Sequence, residues 1–460
     1  MANDFNLDQF PLPKDWTRQE LIDCTEDGNI SYGIVQPGKH LDEGIPVLRV
    51  NNIGNNSLDL DAVMKVDPKI EEKYLRTRLL GGEVLLTLVG STGQSIIAPE
   101  YMKGWNVARA IAVIRADENI GADWINICLQ SRETHHYLNS RANTTVQKTL
   151  NLKDVRSIPI PIPPLKTKLF IENIATSLSK KIELNRQMNE TLEAMAQALF
   201  KSWFVDFDPV IDNALAAGNA IPDEFIERAE QRKGIEKKDD LDIQKLFPDE
   251  FEFTEGMGWI PKGWEVKPLD EVANYLNGLA LQKFRPENID DDYLPVVKIA
   301  QLREGLPSHD EKASINIKPE YIIDNGDVIF SWSGSLLVDI WCGGEAALNQ
   351  HLFKVTSDKY PKWFYLNYTK HHLTEFQRIA TDKAVTMGHI KRGHLKEALC
   401  LIPKNGVDDN VFAVFEDILS KQISSRIESQ TLAKLRDTLL PKLMSGELRI
   451  PDATTILEDV

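Results

Sequence analysis

Cysteine is scarce in this chain. Its four copies, Cys24, Cys128, Cys342 and Cys400, lie too far apart for a CxxC pair or a zinc-knuckle spacing. Neither a disulfide framework nor a structural zinc is implied, and a reduced, cytoplasmic protein is expected. No apolar run approaches the roughly 20 residues that span a bilayer. The first ten residues carry two acids and no base, so neither a secretory leader nor a membrane anchor is expected. Nucleotide motifs are missing as well: there is no GxxxxGK[ST] and no GxGxxG after a strand, which removes support for ATP hydrolysis and nicotinamide chemistry. There is no HExxH, and no [DN]PP[FYW] of the kind an amino methyltransferase carries, since Pro163-Pro164 is preceded by Ile162 and followed by Leu165.

Basic charge is short too. Lys and Arg number 53 against 69 Asp and Glu, a net charge of −16, which at first sight argues against duplex DNA, because phosphates are met by Lys and Arg. The distribution alters that reading. The stretch Asp206 to Ile260 holds fifteen acids and six bases, and the last ten residues three acids and no base. These two segments carry −9 and −3, leaving −4 on the other 395 residues. The bulk is nearly neutral and has room for local basic surfaces.

What is present is a repeat. The chain has 460 residues, 42% hydrophobic and 27% charged, globular values that fit two or three domains. Leu12-Pro13-Lys14-Asp15-Trp16 matches Ile260-Pro261-Lys262-Gly263-Trp264. Gly82-Glu83-Val84-Leu85-Leu86 followed by Gly90-Ser91 matches Gly326-Asp327-Val328-Ile329-Phe330 followed by Gly334-Ser335. Leu150 to Asp154 before Ile158-Pro159-Ile160-Pro161 resembles His394 to Glu397 before Leu401-Ile402-Pro403. The matches keep their order at a separation of about 240 residues, the sign of a duplicated unit. Two alike units suit two alike ligands, and DNA supplies these as half-sites.

Short β-rich runs such as Gly44 to Val50, Val84 to Val89 and Ala110 to Ile114, bounded by Gly, Asn and Asp, predict strands and turns in each unit. Ala122 to Leu138 and Pro361 to Ile379 are more helical, so the units are mixed α/β. Each half closes on a long helical pattern, Leu165 to Phe204 and Val411 to Met444. In the first, Ile171, Ala175, Leu178, Ile182, Asn185, Asn189, Leu192, Ala196, Leu199 and Trp203 alternate spacings of four and three, a coiled-coil seam on which Asn185 and Asn189 could fix register. In the second, Phe415, Leu419, Ile423, Ile427, Leu435 and Leu439 give an apolar face. A helix of roughly 38 residues would extend about 57 Å. Either helix could cap its own domain or pair with a second copy of the chain; antiparallel pairing of the two within one chain is the preferred reading.

A nuclease pattern occurs at Pro222-Asp223 and Glu236-Lys237-Lys238, two carboxylates and a lysine that could serve Mg²⁺. It lies in a solvated charge run, Ile235 to Asp240, and is read as chance. A self-sufficient nuclease using Asp223, Glu236 and Lys238 remains the alternative reading, and a coiled-coil scaffold a third. His135-His136 and His371-His372 are adjacent pairs whose side chains diverge on a helix or a strand, and are read as surface histidines. Candidate DNA-reading side chains are polar residues on glycine-rich loops and strand ends, able to hydrogen-bond base edges. In the first unit these are Arg49, Asn51, Asn52, Ser91, Thr92, Gln94, Arg109, Gln147 and Lys148. In the second they are Lys298, Gln301, Ser333, Ser335, Asn349, Gln350, His351, His389, Lys391 and Arg392.

The segments after the two helices, Ala198-Leu199-Phe200-Lys201-Ser202-Trp203-Phe204-Val205-Asp206-Phe207-Asp208-Pro209-Val210 and Leu439-Leu440-Pro441-Lys442-Leu443-Met444-Ser445-Gly446-Glu447-Leu448-Arg449-Ile450, together with the two Pro-Lys-x-Trp openings, resemble the DNA specificity subunits of type I restriction-modification systems over nearly the whole chain. The resemblance implies a non-catalytic protein with two target recognition domains, 1–163 and 260–404. Two long antiparallel coiled-coil helices, 164–206 and 405–450, would join them as a pseudo-two-fold repeat. The acidic segment within 207–259, Asp212 to Glu255, departs from a minimal member of that family and is read as a linker in preference to a contact surface for a partner subunit; the tail 451–460 is acidic as well. Each domain would read one half of a bipartite, asymmetric double-stranded DNA target. Two methyltransferase subunits carrying S-adenosylmethionine, and restriction motor-nuclease subunits using ATP and Mg, would be the partners, with no cofactor or metal in this chain. Leu178, Ile182, Leu192, Leu199, Trp203, Phe204, Phe207, Leu419, Ile423, Leu439 and Leu443 are then expected at the helix and partner-subunit interface.

Overall fold

Val84–Thr87 and Val328–Ser331 are each buried along their whole length, as continuous apolar runs in central strands must be. In this computed structural model they are the third strands of two matching sheets. The structure describes residues 11–54, 57–141, 149–234, 244–288, 290–382, 388–404, 406–407 and 412–449. The chain divides into two compact units, one of residues 1–181 with 432–460 and one of residues 182–431.

In the first unit, a four-stranded antiparallel sheet runs in the order Thr25–Tyr32, Ile111–Ala116, Val84–Thr87, Ser95–Ile97. A three-stranded sheet beside it centres on Ile45–Leu48, which is antiparallel to Met64–Val66 and parallel to Asn106–Val107. Thr17–Glu20 pairs with Pro159–Ile162. Helix Ala122–Leu129 buries Trp124, Ile125, Cys128 and Leu129, and the Trp124 indole N–H donates to the Pro161 carbonyl at 2.8 Å. The same core takes Ile171 and Leu178 from the long helix Leu165–Phe200 and Leu439 and Leu443 from the second long helix, Ala413–Ser445. Residues at both ends of the chain therefore complete one unit.

The second unit repeats this plan. Its main sheet has the order Asn274–Asn277, Leu352–Thr356, Val328–Ser331, Leu337–Ile340. Its second sheet again mixes one parallel pairing, Tyr293–Val297 with Ala346–Leu348, among antiparallel ones, and Glu265–Pro268 pairs with Leu399–Ile402. Gly33 and Gly278 hold equivalent places. A Cβ on Gly33 would lie 1.8 Å from the Val107 carbonyl oxygen, and one on Gly278 2.3 Å from that of Asn349. Only glycine lets the chain pass this close.

The acidic stretch 207–259, expected as a linker, is folded over its described residues. Phe200 is followed by a wide π turn, Lys201–Val205, closed by a hydrogen bond from the Asp206 N–H to the Lys201 carbonyl at 2.8 Å. Phe207 then takes a left-handed φ of 56°, the one non-glycine residue to do so among the described residues, a conformation that costs about 1–2 kcal/mol. Its ring is held edge-on to Phe225 at 5.8 Å and Trp264 at 6.1 Å. Helix Asp208–Ala217 follows, then helix Ile226–Lys233. Asp208 and Asp212, one turn apart, accept from Arg228 and Arg232, also one turn apart. Hydrogen bonds from Arg228 and Ser202 hold the Asp208 carboxyl below its usual range although burial opposes this. Charge composition suggested a linker; Asp208 and Asp212 are instead partnered, and Phe207, Val210, Phe247 and the flanking Phe225 and Phe251 join the second unit's core. Glu236, Lys237 and Lys238 of the nuclease pattern lie outside the described residues.

Candidate nucleic-acid interface

Each unit builds one recurrent feature at the end of its buried central strand. In the first, Val84–Thr87 turns through Leu88 to Gln94 into Ser95–Ile97. In the second, Val328–Ser331 turns through Trp332 to Leu336 into Leu337–Ile340. Both strands end in a fully buried hydroxyl residue, Thr87 and Ser331. The Thr87 hydroxyl donates to the Ser91 carbonyl and accepts from the Gln94 N–H at 3.0 Å. The Ser331 hydroxyl reaches the Ser335 carbonyl at 3.0 Å and that of Ser333 at 3.2 Å. Gly90 and Gly334 occupy equivalent turn positions with φ of 79° and 66°, which a side chain would strain.

The roots of these turns are clamped alike. Leu88 donates to the Ala110 carbonyl at 2.7 Å and accepts from Leu150 at 2.9 Å; Trp332 donates to His351 at 3.4 Å and accepts from Ile390 at 3.1 Å. Three loops thus meet in each unit: the turn itself, the loop at Ala108–Ala110 or Asn349–His351, and the segment at Thr149–Leu150 or His389–Ile390.

Most of the candidate reading residues lie on these loops. Ser91 and Arg109 in the first unit, and Ser335, His389, Lys391 and Arg392 in the second, are exposed; Thr92, Gln94, Gln350 and His351 are half-buried. Asn51 is exposed beside its partner Asn52, but Asn52 is buried and fully engaged, accepting from the Arg49 N–H at 2.9 Å and donating to the Asp59 carbonyl at 2.9 Å. It closes its own loop. Arg49 donates to the Ala62 carbonyl, and Lys298 pairs with Glu311. Asn349 is buried and accepts from the His351 N–H at 3.2 Å. Gln301 is half-buried on the short helix Ile299–Glu304. Gln147 and Lys148 lie outside the described residues.

The second unit adds one residue that reading the sequence overlooked, Trp332. The Trp332 indole N–H donates to the Asn277 side chain at 2.9 Å, and its ring lies 6.0 Å from His351 and 6.3 Å from His389. Ser333 is paired with the His351 Nδ1 at 3.0 Å. Aligning Leu88 with Trp332 through the repeat was the available signal, since an aromatic ring there replaces an aliphatic one. Arg392 donates to the Tyr275 carbonyl at 3.1 Å and covers the Phe353 ring at 5.6 Å. Of the pair His371-His372, His371 is exposed as expected, whereas His372 departs from the surface reading: it is packed beside Tyr368 and Phe376, its Nε2 lies 3.0 Å from the Leu399 carbonyl, and burial pulls its pKa down to about 4.

The expected helix-interface residues divide by unit. Leu178, Leu439 and Leu443 share the first unit's core. In the second, Phe204, Phe207 and Leu419 are buried and Leu199, Trp203 and Ile423 pack on them, while Ile182 and Leu192 are half-buried. Phe204 and Phe207 are interior and offer no surface to a partner subunit. Between the helices of the second unit the seam is polar. The Asn185 amide donates to Glu428 at 2.7 Å, Asn189 accepts from the Ser425 hydroxyl at 2.8 Å, and Glu193 accepts from Gln422 at 3.0 Å. Ascending numbers on one helix meet descending numbers on the other, so this stretch is antiparallel and its polar pairs fix the register. Glu193 also takes Lys370 at 2.6 Å, from helix Lys362–His371.

Two copies of one α/β domain, clamped alike and differing in loop side chains, define a protein of two repeated domains with matching loop clusters. The chain belongs to the family described as type I restriction modification DNA specificity domain, whose match covers residues 34–194 and 261–435. This is a family of DNA-recognition domains rather than of enzymes. The chain is 26% identical over 404 residues to the type I restriction enzyme HindI specificity subunit of Haemophilus influenzae, covering 80% of this chain and 86% of that one. It is 22% identical over 454 residues to the MjaIX specificity subunit of Methanocaldococcus jannaschii, covering 96% and 95%. A crystal structure of the type I restriction-modification S subunit from M. genitalium aligns over 96% of this chain and 97% of that one, with 11% identity and a TM-score of 0.49. Among the described residues no helix is long and apolar enough to cross a membrane, and no group of three or more His, Cys, Asp or Glu could hold a metal ion.

Proposed function

We propose that each unit reads one half of a bipartite, asymmetric double-stranded DNA target, and that the chain thereby directs adenine methyltransferase and ATP-dependent restriction subunits to that target. The observation that carries this reading is the clamped turn, present twice in one framework with different contents: Gly90-Ser91-Thr92-Gly93-Gln94 before strand Ser95–Ile97 in one unit, Gly334-Ser335-Leu336 before strand Leu337–Ile340 in the other. A constant framework with variable polar tips is what direct readout of two unlike half-sites requires. Ser91, Thr92, Gln94 and Arg109 are the proposed contacts of the first unit; Ser335, Gln350, His351, His389, Lys391 and Arg392 those of the second. S-adenosylmethionine, ATP and Mg belong to the partners. The long helices would set the unread spacer.

Single-molecule sequencing of adenine methylation in the host, with and without this gene, tests the reading. The expected result is loss of methylation at one split motif. Exchanging residues of one domain should then change one half of that motif only; unchanged methylation on deletion, or a swap that alters both halves, overturns it.

A further inference from the structure

We infer that the buried hydroxyls of Thr87 and Ser331 are positioning groups that set the geometry of the two reading turns, each governing one half of the target and neither touching DNA. The inference rests on the recognition function proposed above and deepens it. Both residues end the strand that is buried on both faces, both are fully buried, and both spend their hydroxyl on the turn that follows. In each case the carbonyl four residues on is an acceptor, Ser91 and Ser335. These carbonyls belong to the residue directly after the left-handed glycine, Gly90 and Gly334, where the chain has no sheet partner to direct it. A hydroxyl arriving from the strand below supplies the missing donor. Thr87 adds a second bond as acceptor of the Gln94 N–H, and the Gly93 N–H donates to the Thr87 carbonyl at 2.9 Å.

The chemistry demands this residue type. A buried donor that satisfies a turn carbonyl must be short, because the acceptor lies directly above the strand end, and must carry both a proton and a lone pair to serve the two bonds of Thr87. Of the small side chains only Ser and Thr do both strongly, a thiol being weak in each role. The tip residues vary between the units while this anchor does not, so base choice is carried by the tips and their placement by the anchor. A turn displaced by an ångström would lose the bidentate alignment on which discrimination depends.

The test uses the full chain with its partner subunits in the host. Thr87→Val keeps the side-chain shape and removes the hydroxyl; Thr87→Ser keeps the hydroxyl. The expected result is methylation that becomes degenerate in one half of the motif for Thr87→Val, with the other half and the spacer unchanged, and the original motif for Thr87→Ser. Ser331→Ala should relax the opposite half, and Ser331→Thr should retain it. A wild-type motif in both Thr87→Val and Ser331→Ala, or equal damage from Val and Ser at position 87, overturns the inference. Should Thr87→Val fail to fold, the smaller Ser331→Ala change decides. Independently of any DNA reading, amide hydrogen exchange at Gly93 and Gln94 should quicken roughly tenfold in Thr87→Val and not in Thr87→Ser; equal rates in both refute the anchor. Absence of any split motif in the wild type counts against the DNA reading alone, and the exchange rates still judge the anchor.

Discussion

Replacing Lys370 with methionine tests whether the central helix is fastened to the second recognition domain by charge. Lys370 is the cation of Glu193, at 2.6 Å, with side-chain exposures of 13% and 27%. Losing one partner of a fully buried pair costs about 3–5 kcal/mol. Glu193 is a quarter exposed and keeps Gln197 and Gln422 as donors, so about 2 kcal/mol is expected for Lys370→Met at neutral pH. With a urea slope of about 3 kcal/mol/M, the midpoint should fall by roughly 0.7 M. Urea titration read by hydrogen exchange on peptides from Lys362–His371 isolates this unit from the other. The sign with pH is fixed. Burial raises the Glu193 pKa, but Lys370 and the two amides outweigh it and leave it below the usual carboxylate value of 4.5. Its contribution is complete above that value and is lost as pH falls through the folded value. Without Lys370 the carboxyl protonates at a higher pH, so the gap between wild type and variant should shrink towards pH 4. Adding Glu193→Gln should recover part of the loss. An unchanged midpoint, or a gap identical at pH 7 and pH 4, refutes the charge clamp.

Further outcomes follow from packing and burial. Gly33→Ala should destabilise the first unit by about 2–3 kcal/mol through overpacking, since its Cβ would lie 1.8 Å from the Val107 carbonyl oxygen; Gly54→Ala, with nothing within 4 Å, should be nearly silent in the same denaturation. Leu439→Ala should cost about 2–5 kcal/mol, and the tryptophan fluorescence of the first unit, whose core holds Trp16, Trp124 and Leu439 together, should report it. His372, with its pKa lowered from 6.5 to about 4, favours the folded state while neutral. That stability is complete above about pH 6.5 and drains away towards pH 4, and His372→Gln should flatten the pH dependence over this window by up to about 3 kcal/mol. Lengthening the first long helix by one turn is expected to change the spacer of the methylated motif, and an unchanged spacer counts against the ruler.

The duplicated architecture was legible because its markers are local. Gly82 to Ser91 and Gly326 to Ser335 encode a buried strand and its turn in ten residues each, and Asn185 and Asn189 stand out as polar residues on an apolar period. The acidic stretch was misread for the opposite reason. Composition counts charges without their partners, and the partners of Asp208 and Asp212 are Arg228 and Arg232, twenty residues on. Asn52 and Asn349 looked like reading residues because a polar side chain on a loop has the same appearance whether it closes the loop or faces outward. Only the hydrogen bonds separate the two. Trp332 was passed over because an aromatic residue beside a buried strand reads as core, and its place between His351 and His389 depends on loops that meet only in the folded chain.

The first unit draws Leu439 and Leu443 from a helix that begins at Ala413, while the second unit is one unbroken stretch, residues 182–431. On the ribosome this inverts the usual order. Residues 11–181 emerge with an open apolar face that the later helix must close, and at about 5–20 residues per second that helix follows by roughly 13–50 seconds. The second unit can fold as soon as it is made. The first waits for the residues from Leu432 onward, exposed meanwhile to proteases and chaperones, so a message truncated shortly before Leu432 yields a chain whose later half is sound and whose earlier half is not.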